Sequence, residues 1–191
     1  MLSHHRLKCC FVGDYGVGKT SVMFSFLDRP VSKVKATIGV DFCSKMIRVG
    51  DADILLSLWD TAGAETYRSL MHSYIRDADI IVLVYDRAKS ESNIVYWMRT
   101  IEHHRARVIG VLGNKSDLTT GFHRDLDELL FPWSRQKFKI VTGACSSRNS
   151  EEVKSFLKKC ILKSLEDNKV DESQIALEKH SKRTLSYKCC T

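Results

Sequence analysis

Long apolar runs are missing from this 191-residue chain, and with them any stretch of the ~20 consecutive apolar residues that a bilayer-spanning helix needs. Met1 to Lys8 carries His4, His5 and Arg6 and leads into an apolar stretch too brief for the core of a secretory signal. A protein that stays in the cytosol is expected. The seven cysteines, with Cys9-Cys10 and Cys189-Cys190 as neighbours, fit neither a secreted disulfide framework nor any zinc-ligand spacing, and are expected to be reduced. Without entry to the secretory lumen, the sequon Asn114-Lys115-Ser116 has no glycosylation chemistry behind it. A basic stretch interleaved with aromatics is also lacking, so the net charge of +7 does not indicate nucleic-acid binding. Some attraction for acidic lipid heads is the better reading of that charge.

With 43% hydrophobic and 28% charged residues, the composition is that of a soluble globular protein. The length fits one domain plus a tail. Apolar runs alternate with helical patterns, which predicts an α/β fold with a mostly parallel sheet covered on both faces. Candidate strands are Leu7 to Val12, Phe42 to Val49, Ile54 to Trp59, Ile80 to Tyr85, Val108 to Leu112 and Phe138 to Val141. Gly50-Asp51 reads as a tight turn, making the second and third strands an antiparallel hairpin.

Helices are expected from Lys19, over about Asn93 to Glu102, and from Ser150 to Leu165, where Val153, Phe156, Leu157, Cys160, Ile161 and Leu165 recur at helical spacing. Asn149 and Glu152 look like the cap of the last of these. Prolines number only two. One of them, Pro132, falls where a helix would run from about Leu126 to Gln136, so a short or kinked helix is expected there. After Asp167 the pattern fades into a polar, mixed-charge tail.

Three segments carry chemistry. Gly13-Asp14-Tyr15-Gly16-Val17-Gly18-Lys19-Thr20 fits G-x-x-x-x-G-K-[ST] between a predicted strand and a predicted helix. In that setting successive backbone N–H groups, joined by the helix N-terminus before Ser21, point at phosphate oxygens. Lys19 pairs with the β- and γ-phosphates, and the Thr20 hydroxyl suits Mg²⁺, a hard cation that takes oxygen ligands. Asp60-Thr61-Ala62-Gly63 follows an apolar strand to the same sheet edge. There Asp60 would hold Mg²⁺, and Gly63 would offer a backbone N–H to the γ-phosphate. Thr37, in a polar segment upstream, is the candidate second hydroxyl ligand, able to order when γ-phosphate and Mg²⁺ are present.

Asn114-Lys115-Ser116-Asp117 follows the strand Val108 to Leu112. A carboxylate such as Asp117 accepts from both N1–H and the 2-amino group of guanine, a donor pair adenine lacks. Lys115 can lay its stem along the base. Gly143-Ala144-Cys145, after the sixth strand, can present backbone N–H groups to the guanine carbonyl.

Together these segments resemble the Ras superfamily of small GTPases over roughly residues 7 to 165, and within it the Rab proteins. Ile38-Gly39-Val40-Asp41-Phe42, Leu58-Trp59-Asp60-Thr61-Ala62-Gly63 and Leu83-Val84-Tyr85-Asp86 carry the Rab likeness. The resemblance implies a P-loop NTPase fold of six strands, one antiparallel, with about five helices, spanning residues 1–166, and a hypervariable tail over 167–191. It implies GTP or GDP with Mg²⁺ as ligands, Lys19, Thr37 and Gly63 in catalysis, and an effector surface including Phe42, Trp59 and Tyr74. Further implications are a role in vesicle and membrane trafficking, exchange factors, GAPs and escort or GDI-type chaperones as partners, and a monomeric state. The location implied is the cytoplasmic side of an intracellular membrane with a soluble pool.

Cys189 and Cys190 match the paired cysteines that end Rab tails. Two prenyl groups give stable anchoring where one gives only marginal binding, and Lys188, fourth from the end, excludes a C-a-a-X box. Fully extended, the tail reaches ~80 Å.

Departures from the family pattern bear on the mechanism. Ala64 stands where a glutamine usually orients the attacking water, so intrinsic hydrolysis is expected to be very slow. Tyr15 occupies a normally small position and can crowd an arginine finger, whereas Rab-directed GAPs can supply glutamine and arginine in trans. Asp28 to Ala36 holds no aromatic to pack on guanine, and Cys145 replaces the family's lysine or leucine. Faster nucleotide release is expected from both. Two other readings remain open: a non-hydrolysing adaptor that binds GTP persistently or nucleotide only weakly, and an ATP-using P-loop enzyme, against which Asp117 argues.

Overall fold

In the computed structural model, residues 5–33, 37–49, 52–63, 68–89, 93–118 and 125–166 are described. Ala64, Cys189, Cys190 and the expected turn at Gly50-Asp51 lie outside them.

The apolar runs pair into one six-stranded sheet. Its strands are β1 (His5–Val12), β2 (Val40–Val49), β3 (Ala52–Thr61), β4 (Ile80–Asp86), β5 (Val108–Asn114) and β6 (Lys139–Ala144), in the spatial order β2-β3-β1-β4-β5-β6. β2 and β3 pair antiparallel from Val40 with Thr61 to Val49 with Ala52, and every other pair is parallel. Every residue of β5 is buried, as a central strand covered on both faces must be. The β2–β3 ladder continues past the apolar pattern, pairing Asp41 with Asp60. Asp60 therefore lies within a strand rather than after it, which fixes its backbone by the ladder.

Side chains alternate across β1, and this divides the core in two. Cys9 and Phe11 face Val22, Met23, Phe26, Phe156 and Ile161. Cys10 and Val12 face Met71, Ile75, Trp97 and Met98. The first group lies under α1 (Lys19–Phe26) and α5 (Ser150–Leu165), the second under α2 (Arg68–Ile75) and α3 (Ile94–Ile101). At roughly 1.5–3 kcal/mol per fully buried large apolar side chain, these two layers hold the sheet edge in place. α5 lies close against the sheet: a Cβ on Gly143 would fall 2.5 Å from the Phe156 ring. Packing thus requires a glycine at 143.

Caps set the helix limits. Asn149 accepts from the N–H groups of Glu151 and Glu152, the role read from the sequence. Glu152, however, returns its carboxylate to the N–H of Ser146 at 2.9 Å. The N–H of Asn149 is already bonded to the Ser146 carbonyl, so the reciprocal bond of a capping box is made one turn earlier. Pro132 acts as expected: α4 (Leu126–Leu130) stops after five residues, and a 3₁₀ turn, Phe131–Trp133, carries the proline near its start, where its missing N–H costs nothing.

Candidate functional site

The C-terminal ends of β1, β3, β5 and β6 gather at one edge of the sheet and deliver the predicted segments together. After β1 the chain turns through Gly13 to Gly18 into α1, with Gly18 at φ 96°. No side chain fits at that position, since a Cβ would lie 2.3 Å from Nδ2 of Asn114. Lys19, 6% exposed, donates to the carbonyls of Gly13 at 2.9 Å and Asp14 at 2.8 Å. Burial pulls its pKa down to about 8 against the opposing pull of Asp60 and Asp14. Val17 is buried, Ser21 is half-buried in the first turn of α1, and the Tyr15 ring is exposed.

Thr20, Thr37 and Asp60, far apart in sequence, meet here. The Thr20 hydroxyl donates to Oδ2 of Asp60 at 2.5 Å, and Thr37 donates to the same oxygen at 2.9 Å. The two hydroxyls stand 2.9 Å from one another. Asp60 is fully buried, and its Oδ1 has no hydrogen-bond partner among the described residues. Desolvation raises its pKa above the ordinary carboxylate value, opposed by the two threonine bonds and then by Lys19. A buried carboxylate with an orphaned oxygen, flanked by two hydroxyls, fits a small hard cation. Gly63 approaches the same spot, and a Cβ there would lie 2.4 Å from the Lys19 ammonium.

Across the edge, Asn114 braces two loops. Its Nδ2 donates to the Val17 carbonyl at 2.9 Å, and its Oδ1 accepts from the Ser147 N–H at 2.9 Å. Lys115, in the left-handed region at φ 63°, donates to the Gly16 carbonyl at 2.9 Å and to Asp86 at 2.7 Å. Asp117 is exposed beside them. A bond from the Ser146 hydroxyl holds its carboxyl below the usual range, aided by Arg148, whose Nη1 lies 3.3 Å from Oδ2.

The 143–145 segment divides. Ala144 is exposed at the rim, whereas Cys145 is fully buried and its N–H donates to the Gly113 carbonyl at 2.9 Å. The Cys145 thiol is pushed up to about 12 by burial, with Glu152 adding to it. The motifs assign no contact to Asp14, Asp86, Ser146 or Arg148, which the fold brings to the site. A polar residue inside or just after each motif was the available signal.

On the β2–β3 side, Phe42 and Trp59 form an edge-to-face pair with centroids 5.1 Å apart. Lys8 lies over the indole at 4.6 Å, and the buried Trp59 Nε1 finds no hydrogen-bond partner among the described residues. Tyr74 is half-buried in α2, where its carbonyl accepts from the Cys10 thiol. Ile38 is 82% exposed beyond Phe42.

A glycine-rich loop opening a helix, a buried carboxylate flanked by two hydroxyls and a carboxylate beside an Asn-Lys pair, all on one edge of this sheet, define a P-loop nucleotide-binding protein. Residues 8–167 match the model of the Ras family, and the chain belongs to that family. Within it the chain is a Rab-type small GTPase. It is 35% identical over 200 aligned residues to Ras-related protein Rab-8B of Homo sapiens, an alignment covering 97% of this chain and 96% of that protein. Rab-8B of Pongo abelii gives the same figures.

Proposed function

We propose that this GTPase is a magnesium-dependent guanine-nucleotide switch in membrane trafficking, with impaired intrinsic hydrolysis. The observation that carries the reading is the convergence of Thr20, Thr37 and the orphaned carboxylate oxygen of Asp60 beside Lys19. Thr20, Thr37 and Asp60 would hold Mg²⁺, whose positive charge, when bound, neutralises developing charge on the phosphates. Lys19 supplies a second positive charge to the β- and γ-phosphates, and Gly63 a backbone donor to the γ-phosphate. Gly13, Tyr15, Gly16, Val17, Gly18 and Ser21 line the phosphate side. Asn114 and Lys115 frame the base, Asp117 selects guanine, and Ala144 and Cys145 close the pocket from behind.

Thr37 links the ligand to the surface. Its hydroxyl lies beside Asp60, where it would be held by metal and γ-phosphate when these are bound, so their loss would loosen the segment that leads into Phe42, and the Phe42–Trp59 pair with Tyr74 would report that change to effectors. Ala64 offers only a methyl group where the attacking water needs a hydrogen-bonding partner. In this reading residues 1–166 are the GTPase domain and 167–191 the tail. Prenyl groups on Cys189 and Cys190 would tether the domain to the cytoplasmic face of an intracellular membrane, with a soluble monomeric pool kept by a GDI-type chaperone. Exchange factors and GAPs would set its cycle.

Single-turnover hydrolysis of bound GTP tests the reading. Slow turnover that rises in the Ala64→Gln variant supports it. A rate equal to that in buffer, unmoved by Ala64→Gln and by GAPs, favours the second reading, a GTP-bound adaptor, which Ala64 by itself would also suit.

A further inference from the structure

The phosphate loop is held from outside by α3. Asp14, the second residue of the loop, accepts on its carboxylate from the indole N–H of Trp97 at 2.9 Å and from Nδ2 of Asn93 at 3.1 and 3.2 Å. Its backbone carbonyl meanwhile accepts from the Lys19 ammonium at 2.8 Å. One residue thus joins α3 to the cation that meets the phosphates. Nothing in the loop motif requires an acid at this position, since that motif leaves four positions unspecified.

Asn93 makes the arrangement specific. It stands at the N-cap of α3, where an asparagine side chain ordinarily accepts from the N–H of the second or third helical residue. Here it makes no side-chain cap bond, and its amide reaches 79 residues back along the chain to Asp14. Trp97 is 3% exposed, so its N–H has to find a partner inside the protein, and that partner is Asp14. A carboxylate gripped by two donors fixes the peptide plane that follows it, and with it the carbonyl facing Lys19. Gly63 shares the corner, because a Cβ there would lie 2.6 Å from the same Asp14 carbonyl.

We propose that Asn93 and Trp97 are positioning residues for nucleotide binding, acting through the Asp14 carboxylate to hold the phosphate loop and Lys19 in the geometry that grips the β- and γ-phosphates. This rests on the guanine-nucleotide reading of the site. The test is release of a fluorescent GDP from the full chain in Mg²⁺. Asn93→Ser is the decisive variant. Serine caps a helix as well as asparagine does but cannot reach Asp14 in the same way, so release is expected to be roughly three- to tenfold faster with an unfolding temperature no lower than wild type. Trp97→Phe is expected to speed release comparably, and in an Asp14→Ala background to add nothing.

Release at the wild-type rate in both Asn93→Ser and Trp97→Phe overturns the proposal while leaving the pocket reading intact. So does full additivity of Trp97→Phe with Asp14→Ala. Failure of the wild type to hold guanine nucleotide overturns the pocket reading itself, and this proposal with it.

Discussion

The hydroxyls of Thr20 and Thr37 lie 2.9 Å apart, one in the first turn of a helix and the other in the segment before β2, and both point at one oxygen of Asp60. This contact joins the phosphate loop to the surface that carries Phe42. If phosphate and metal bind as proposed, a change in how they are held would reach the Phe42 side without a long relay.

Asp60→Ala is expected to weaken GDP binding in Mg²⁺ by about tenfold or more and to have little effect in EDTA. Titration of a fluorescent nucleotide with and without the metal measures this. A variant that keeps the full magnesium effect would remove Asp60 from the metal site.

The raised pKa of Asp60 has a consequence for stability. The folded state holds this proton more tightly than the unfolded state, so stability falls as pH rises above the ordinary value of 3.8 and levels off beyond the folded pKa. Once ionised, this buried carboxylate therefore burdens the metal-free fold. Thermal unfolding in EDTA should show that decline with pH, and Asp60→Asn should lack it.

Lys19, held down to about 8 by burial, must carry a full charge against a polyphosphate. Nucleotide binding at pH 8 should take up about half a proton. Calorimetry in buffers of different ionisation enthalpy reads this directly, and Lys19→Met should abolish the uptake along with most of the affinity.

Arg148 neutralises part of the charge that Asp117 would present to guanine. Arg148→Ala is expected to tighten GDP about two- to fivefold at low salt, the range of an exposed ion pair, with the difference shrinking as salt rises. Dissociation constants across a salt series would show this. A uniform loss of affinity would instead make Arg148 a contact to the nucleotide.

Much of this architecture was legible because local signals agreed. Lys19 opens α1, Ser150–Leu165 is a helix from end to end, and Pro132 shortens α4, each through backbone chemistry acting within a few residues. Thr20, Thr37 and Asp60 were legible through motif order, and their chemistry needs them in one place. What the sequence concealed were contacts made across the fold. Trp97 lies within the helix expected over about Asn93 to Glu102, and only the packing of α3 against the loop shows its N–H on Asp14, 83 residues away. That the Cys145 N–H is committed to the Gly113 carbonyl and its thiol to the core is likewise not written in the motif that contains it. Periodicity does not reveal such endpoints, because they depend on which strand ends lie side by side.

In the proposed pocket Asp117 selects guanine, and the phosphate end is Lys19 with the Thr20–Asp60 corner. The most direct test is competition of GTP and ATP for the purified full-length protein in Mg²⁺, with Asp117→Ala alongside. A preference for GTP of at least about a hundredfold is expected, collapsing in the variant. Equal binding of the two nucleotides by the wild type would contradict it.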